Sequence, residues 1–131
     1  MAAWSARQRI VPVLDHLAGV SPALWDAGGV AAALAHLAHL ADAGGWLKLS
    51  GWYRLQASPP YADLLPEIRS LHHQFDGRCL WGSDWPHTRF MEPGVPDPAP
   101  TYAGLLAPLH IALGAAVAHA VLHGAPARLL G

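Results

Sequence analysis

Cysteine is nearly absent from this 131-residue chain. Cys79 stands alone, which excludes an internal disulfide framework and suits a reducing compartment. Its neighbours are apolar, so it reads as a small buried hydrophobe rather than a reactive thiol. Charge is equally sparse: Asp, Glu, Lys and Arg make up 13% of residues and the formal net charge is −1. The eight Lys and Arg are scattered singly, with no basic stripe to attract a phosphate backbone, which argues against nucleic acid as a partner. No run of about 18 apolar residues escapes interruption by His, Pro or charge, so no transmembrane helix and no membrane partner are expected. The first residues, "MAAWSARQRIVPVLDH", lack the continuous apolar core of a signal peptide. The expectation is a soluble, cytoplasmic protein. His-Glu-x-x-His, paired-Cys and calcium-loop patterns are missing too, so no dedicated metal site is encoded locally.

What is present is apolar. Such residues make up 53% of the chain, which removes the low-hydrophobicity signature of disorder. The length suits one domain over 1–131 with a single core. Three β-type segments recur: "IVPVL" (10–14), "WLKLS" (46–50) and "CLWGS" (79–83). Helical patterns separate them. Asp26 is a candidate N-cap for the first, and Gly44-Gly45 stops it. In the second, Leu64, Leu65, Ile68, Leu71 and Phe75 fall at helical spacing, and Pro66 belongs in the first turn. Strands each joined by one helix read as consecutive βα units of a parallel sheet, hence an α/β fold. A Pro-rich stretch over 91–101 reads as a surface loop. The remainder, "LLAPLHIALGAAVAHAVLHGAPARLLG", reads as two helical pieces broken at Gly114 and closed by Pro126.

Parallel sheets place their chemistry at the carboxyl ends of strands. Here the first segment ends in Asp15-His16, the second in Ser50-Gly51 with Arg54 beyond, the third in Ser83-Asp84 with His87 close by. Period-two alternation puts Asp84 with Gly82 and Leu80, His16 with Leu14, and Lys48 with Ser50. If the sheet curves, Asp84, His16 and Ser50 can share one interior, with Asp15 on the opposite face as a structural residue. The other histidines read as helix-face residues. His36 and His39 share a spacing that can hold a metal, but no third ligand lies nearby in sequence.

The segments "VLDHLAG", "GWLKLSGWYRL" and "RCLWGSDWPH", in this order, resemble the last three barrel strands of the amidohydrolase-2 family, most closely its 2-pyrone-4,6-dicarboxylate lactonase branch. The terminal "VLHGAPARLLG" is similar to the family's closing helix, with Ala125 where that motif has Asn. The resemblance implies part of a TIM (β/α)₈ barrel, about the last three βα units plus C-terminal helices. It implies a hydrolase of small carboxylated lactones or related compounds. Asp84 would be the acid/base, His16 the group that polarises the substrate carbonyl, and Arg54 the clamp on a substrate carboxylate. His87 and Ser50 would complete the substrate-binding rim.

The departures are as informative. The family's first-strand His-x-His is absent, strands one to five have no counterpart, and Gly19 stands where the family carries an Arg after the sixth strand. A complete barrel needs about 200–250 residues, so the chain reads as a C-terminal half. Members of the superfamily bind zinc and the lactonase branch does without it. Asp84 and His16 are the only candidate metal ligands here, so both a metal-free site and a divalent metal in an assembled barrel stay open. Three parallel strands have two open edges, and Leu14, Leu49 and Leu80 are expected to face solvent unless something covers them. The expected partners are a small-molecule substrate in an assembled form, and either further copies of this chain or a complementing N-terminal half. The alternative is a non-catalytic half-barrel remnant.

Overall fold

The computed structural model describes residues 10–91, 93 and 99–131. Most of the Pro-rich loop, and most of the segment in which a leader was sought, lie outside the described residues. The fold is α/β, built on a three-stranded parallel sheet in which β1 (Val13–Leu14), β2 (Trp46–Leu49) and β3 (Cys79–Trp81) lie side by side in chain order. Leu14 pairs with Leu47, Lys48 with Leu80 and Leu49 with Trp81. The strands occupy the expected segments but are shorter.

Helix α1 (Ala27–Asp42) connects β1 to β2. The Asp26 carboxylate accepts a bond from the Gly29 N–H at 2.7 Å, satisfying one of the helix's orphan donors. The chain leaves α1 through Gly44 at φ 83, a conformation open to glycine at little cost. Helix α2 (Leu65–Gln74) connects β2 to β3 and carries Pro66 in its first turn, where a missing N–H costs nothing. Helix α3 (Tyr102–Leu113) is capped by Thr101 and ends at Gly114, as the composition predicts. Helix α4 (Ala115–His119) runs through a π turn at Ala120–Gly124 into α5 (Ala125–Leu130). Pro126 therefore does not close the helical run. It sits in the first turn of α5, where a missing N–H costs least.

The two sides of the sheet differ. Leu47, Leu49 and Cys79 have no accessible surface. They pack in one core with Ile68, Leu71 and Phe75 from the α2 region, Leu105 and Leu109 from α3, and Val121. On the other side alternate Val13, Lys48, Leu80 and Gly82. Val13 is 38% exposed, and Lys48, Leu80 and Gly82 are half-buried. The expectation that Leu14 and Leu49 face solvent is corrected here: Leu14 lies abreast of Leu47 and packs against the core, and so does the fully buried Leu49. Its register partner is Trp81 rather than Leu80, which puts it on the helix-covered side. At the lower end of the open side, Trp46 is shielded beneath the Arg128 guanidinium, 6.0 Å from its ring.

Candidate active site

Strand ends deliver the site. After Leu14 the chain turns sharply: His16, Leu17 and Ala18 all have φ above +50°. Left-handed backbone at a residue with a Cβ costs of order 1–2 kcal/mol, and a short run of such residues persists only where surroundings enforce it. Leu17 supplies that enforcement, being fully buried in the core. Asp84 and His87 also adopt positive φ, at 60° and 58°. All three candidate residues at the tips of β1 and β3 thus sit in sparsely populated backbone.

The turn corrects the face assignment. Strict alternation would send His16 to the covered side with Leu14, and Asp15 was expected to oppose it. Instead Asp15, the last extended residue, lies on the open side and pairs with the Lys48 ammonium at 2.6 Å. His16 is swung back over the same side by its left-handed turn. Its Nδ1 lies 3.1 Å from the Ser50 hydroxyl, and its Nε2 lies 3.8 Å from Asp84 Oδ1. Gly51 makes this possible. At φ 64 it takes a conformation suited to glycine, and any Cβ there would collide with the His16 ring.

Asp84 is the hub. Its Oδ2 accepts a 2.5 Å bond from the Tyr53 hydroxyl and a charge-assisted bond from Arg54 Nε, while Arg54 Nη2 donates to the Thr88 hydroxyl at 3.0 Å. Burial pushes the Asp84 carboxyl up, but the hydrogen bonds from Arg54 and Tyr53, together with the positive field, outweigh it. The carboxyl titrates below its ordinary value. Burial and the bond to Asp84 push the Tyr53 phenol well up, so Tyr53 is a neutral donor. The bond to Asp84 likewise raises the Arg54 guanidinium, which stays charged. The carboxylate is held as an anion by two donors on the short helical turn after β2.

The other expected residues fall around this hub. Ser50 is 1% exposed, and its hydroxyl is turned to His16. His87 faces Tyr53, with Nδ1 3.4 Å from the phenol oxygen and the rings edge-on at 5.9 Å. Asp84, His16, Ser50 and Arg54 thus form one connected group, and His87 joins it through Tyr53. Sequence reasoning passed over Tyr53, although "WYRL" placed it beside Arg54 at the tip of a strand. It also passed over Thr88 and over Arg89, whose guanidinium donates to the Tyr53 carbonyl at 2.6 Å and fixes the turn. Cys79 takes no part. Burial pushes its thiol up to about 12, too high for a thiolate at neutral pH.

The donor set fits poorly with a metal. Among the described residues no three His, Cys, Asp or Glu side chains converge. Asp84 and His16 supply two donors, and the carboxylate is already taken by Arg54. A catalytic zinc takes three protein ligands.

The tip of the last strand thus presents a carboxylate faced by a histidine from an earlier strand. The Amidohydrolase family model (Amidohydro_2) matches residues 9–131. The chain belongs to the amidohydrolase-2 family. It is similar to a 4-sulfomuconolactone hydrolase of Rhizobium radiobacter, with 39% identity over 88 residues, 66% of this chain and 28% of the relative. A second 4-sulfomuconolactone hydrolase, of Hydrogenophaga intermedia, is 40% identical over 48 residues, 36% of this chain and 16% of that protein. The matched part therefore spans less than a third of either relative's length. No solved structure matches. Among the described residues, no helix is long and apolar enough to cross a membrane.

Proposed function

We propose that this chain carries the carboxyl-terminal acid/base half of a lactone hydrolase acting on small carboxylated or sulfonated lactones in the cytoplasm. The single observation that carries the reading is the meeting of Asp84 with His16 and Arg54 at the tips of three parallel strands. The names of the curated relatives supply the substrate class. In this reading Asp84 takes a proton from water as the hydroxide attacks the lactone carbonyl carbon. His16, oriented by Ser50, donates a hydrogen bond to the carbonyl oxygen. The ring C–O bond breaks, and Asp84 returns the proton to the departing oxygen. Arg54 holds the substrate's anionic substituent, a task its planar fork suits.

The open side of the sheet and its two edges, unpaired among the described residues, support a further proposal: β1 to β3 are the last three units of a (β/α)₈ barrel whose remaining units cover that side. They come from sequence upstream of this stretch, from a complementing polypeptide or from further copies of this chain. The test is co-expression with the amino-terminal region of the Rhizobium radiobacter relative that lies outside the match. The expected result is a stable complex that hydrolyses 4-sulfomuconolactone. Asp84→Asn should lower its kcat by about 100-fold or more while leaving substrate affinity largely intact. Full turnover in that variant would remove Asp84 from the mechanism.

A second reading, a non-catalytic half-barrel, is favoured by the engagement of the Asp84 carboxylate with Arg54 and Tyr53. Failure of every assembled form to turn over substrate would establish it.

A further inference from the structure

Arg54 is asked to do two things that the Nε–Nη2 edge of one guanidinium cannot do at once. As the clamp for a substrate anion it must turn its donors outward, yet its Nε is spent on Asp84 and its Nη2 on Thr88. Asp84 is compromised in turn. A carboxylate already accepting two hydrogen bonds on one oxygen is a poor acceptor for a proton from water. The two side chains remain within reach of solvent, at 32% and 15% relative exposure, so an incoming anion can approach the guanidinium without unfolding the turn.

We propose that Arg54 is an exchangeable counter-ion: an anionic substituent on the substrate draws its guanidinium from Asp84, and that exchange frees the carboxylate to act on water. The inference rests on the proposed hydrolase reading and deepens it by making one residue both the specificity determinant and the release for the acid/base. A neutral lactone has nothing to offer Arg54, so Asp84 stays engaged and the lactone is not turned over.

The groups that remain around Asp84 favour this. Once Arg54 leaves, the carboxylate faces the Tyr53 hydroxyl from the turn after β2 and His16 from the turn after β1. The His87 ring, on the same turn as Asp84, meets Tyr53 rather than the carboxylate, while its backbone N–H donates to the Asp84 carbonyl at 2.9 Å. Burial, already the largest influence on Asp84 and one that raises it, then meets less opposition. The carboxylate becomes a stronger base at the moment substrate is seated. Tyr53 is a positioning residue here, keeping Oδ2 in place while its partner changes.

The test reads the Asp84 side chain directly. The full chain, labelled with carbon-13 at aspartate carboxyls, is titrated by NMR with and without saturating sulfoacetate, a small molecule bearing a carboxylate and a sulfonate. The expected result is a midpoint for Asp84 that rises by about one unit or more when the probe binds. Arg54→Gln should show the raised midpoint without the probe and no further change with it. Binding of sulfoacetate with an unmoved midpoint would overturn the exchange. So would an equal response in Arg54→Gln, or no binding at all. The wild-type titration decides the matter even if Arg54→Gln fails to fold. An unmoved midpoint alongside Asp84-dependent hydrolysis in the complemented complex would refute the exchange and spare the hydrolase reading. A moved midpoint with no hydrolysis in any assembled form would do the reverse.

Discussion

The two sides of the sheet are made from the same four-residue strand yet follow different rules. On the covered side Leu47 and Leu49 have no accessible surface, and helices α2 and α3 close over them. On the open side Lys48 and Ser50 alternate with them, and the neighbours are Asp15, His16 and Gly82. One side is dry and apolar and holds the chain together. The other is polar, partly wet and gathers the titratable groups. A period of two lets a single strand serve both without compromise. Stability and chemistry should therefore respond to different substitutions.

The largest effect belongs to the covered side. Leu49→Ala should cost about 2–5 kcal/mol, because deleting a fully buried side chain leaves a cavity among fixed neighbours. Urea denaturation measures it, and a loss below about 1 kcal/mol would mean the helices do not clamp this face. Next comes the hinge between the sides. Gly51→Ala should cost about 1–2 kcal/mol through its left-handed backbone alone. It should also eject the His16 ring, seen as a changed His16 imidazole NMR signal. An unchanged signal would show that the two loops are not in contact.

A smaller effect is expected from pH. The Asp84 carboxyl titrates below its ordinary value in the folded chain, so on acidification the unfolded chain takes up its proton first. The stability this carboxylate contributes is complete above the unfolded value, near 4. It is lost as pH falls through the lower folded value. Asp84→Asn should flatten that part of the stability profile, and an unaltered profile would deny the Arg54 and Tyr53 bonds any role in folding. The smallest change is Lys48→Met on the open side. Its pair with Asp15 is half exposed, and such pairs are worth about 0–1 kcal/mol. A larger loss by chemical denaturation would mean that the open side carries load after all.

Much of this was legible in the sequence because local signals and tertiary demands agreed. Asp26, Gly44, Pro66 and Gly114 mark helix boundaries through their own backbone chemistry, and the structure places each boundary there. Strand order and direction followed from one helix between each pair. The meeting of His16 with Asp84 was also anticipated, but by a route that does not hold. Alternation past Leu14 fails because the chain turns left-handed at His16, and nothing in "DHLAG" signals that three non-glycine residues take positive φ ahead of Gly19. Tyr53 was missed for a related reason. Its hydroxyl reaches Asp84 only because the segment after Gly51 closes into a tight helical turn (Trp52–Leu55), a geometry that apolar periodicity does not encode. Leu49 was misassigned because register, not pattern, decides which residues of adjacent strands lie abreast.

Trp52 is fully buried, and its indole N–H reaches across the core to the Leu105 carbonyl on α3 at 2.7 Å. The next two residues along the backbone are Tyr53 and Arg54, the pair gripping Asp84. Any tilt of that distant helix would thus be delivered to the Asp84 carboxylate through a tether three residues long. A molecule pressing on the outer surface of α3 would have a mechanical handle on the hydrogen bonds at the sheet's tip.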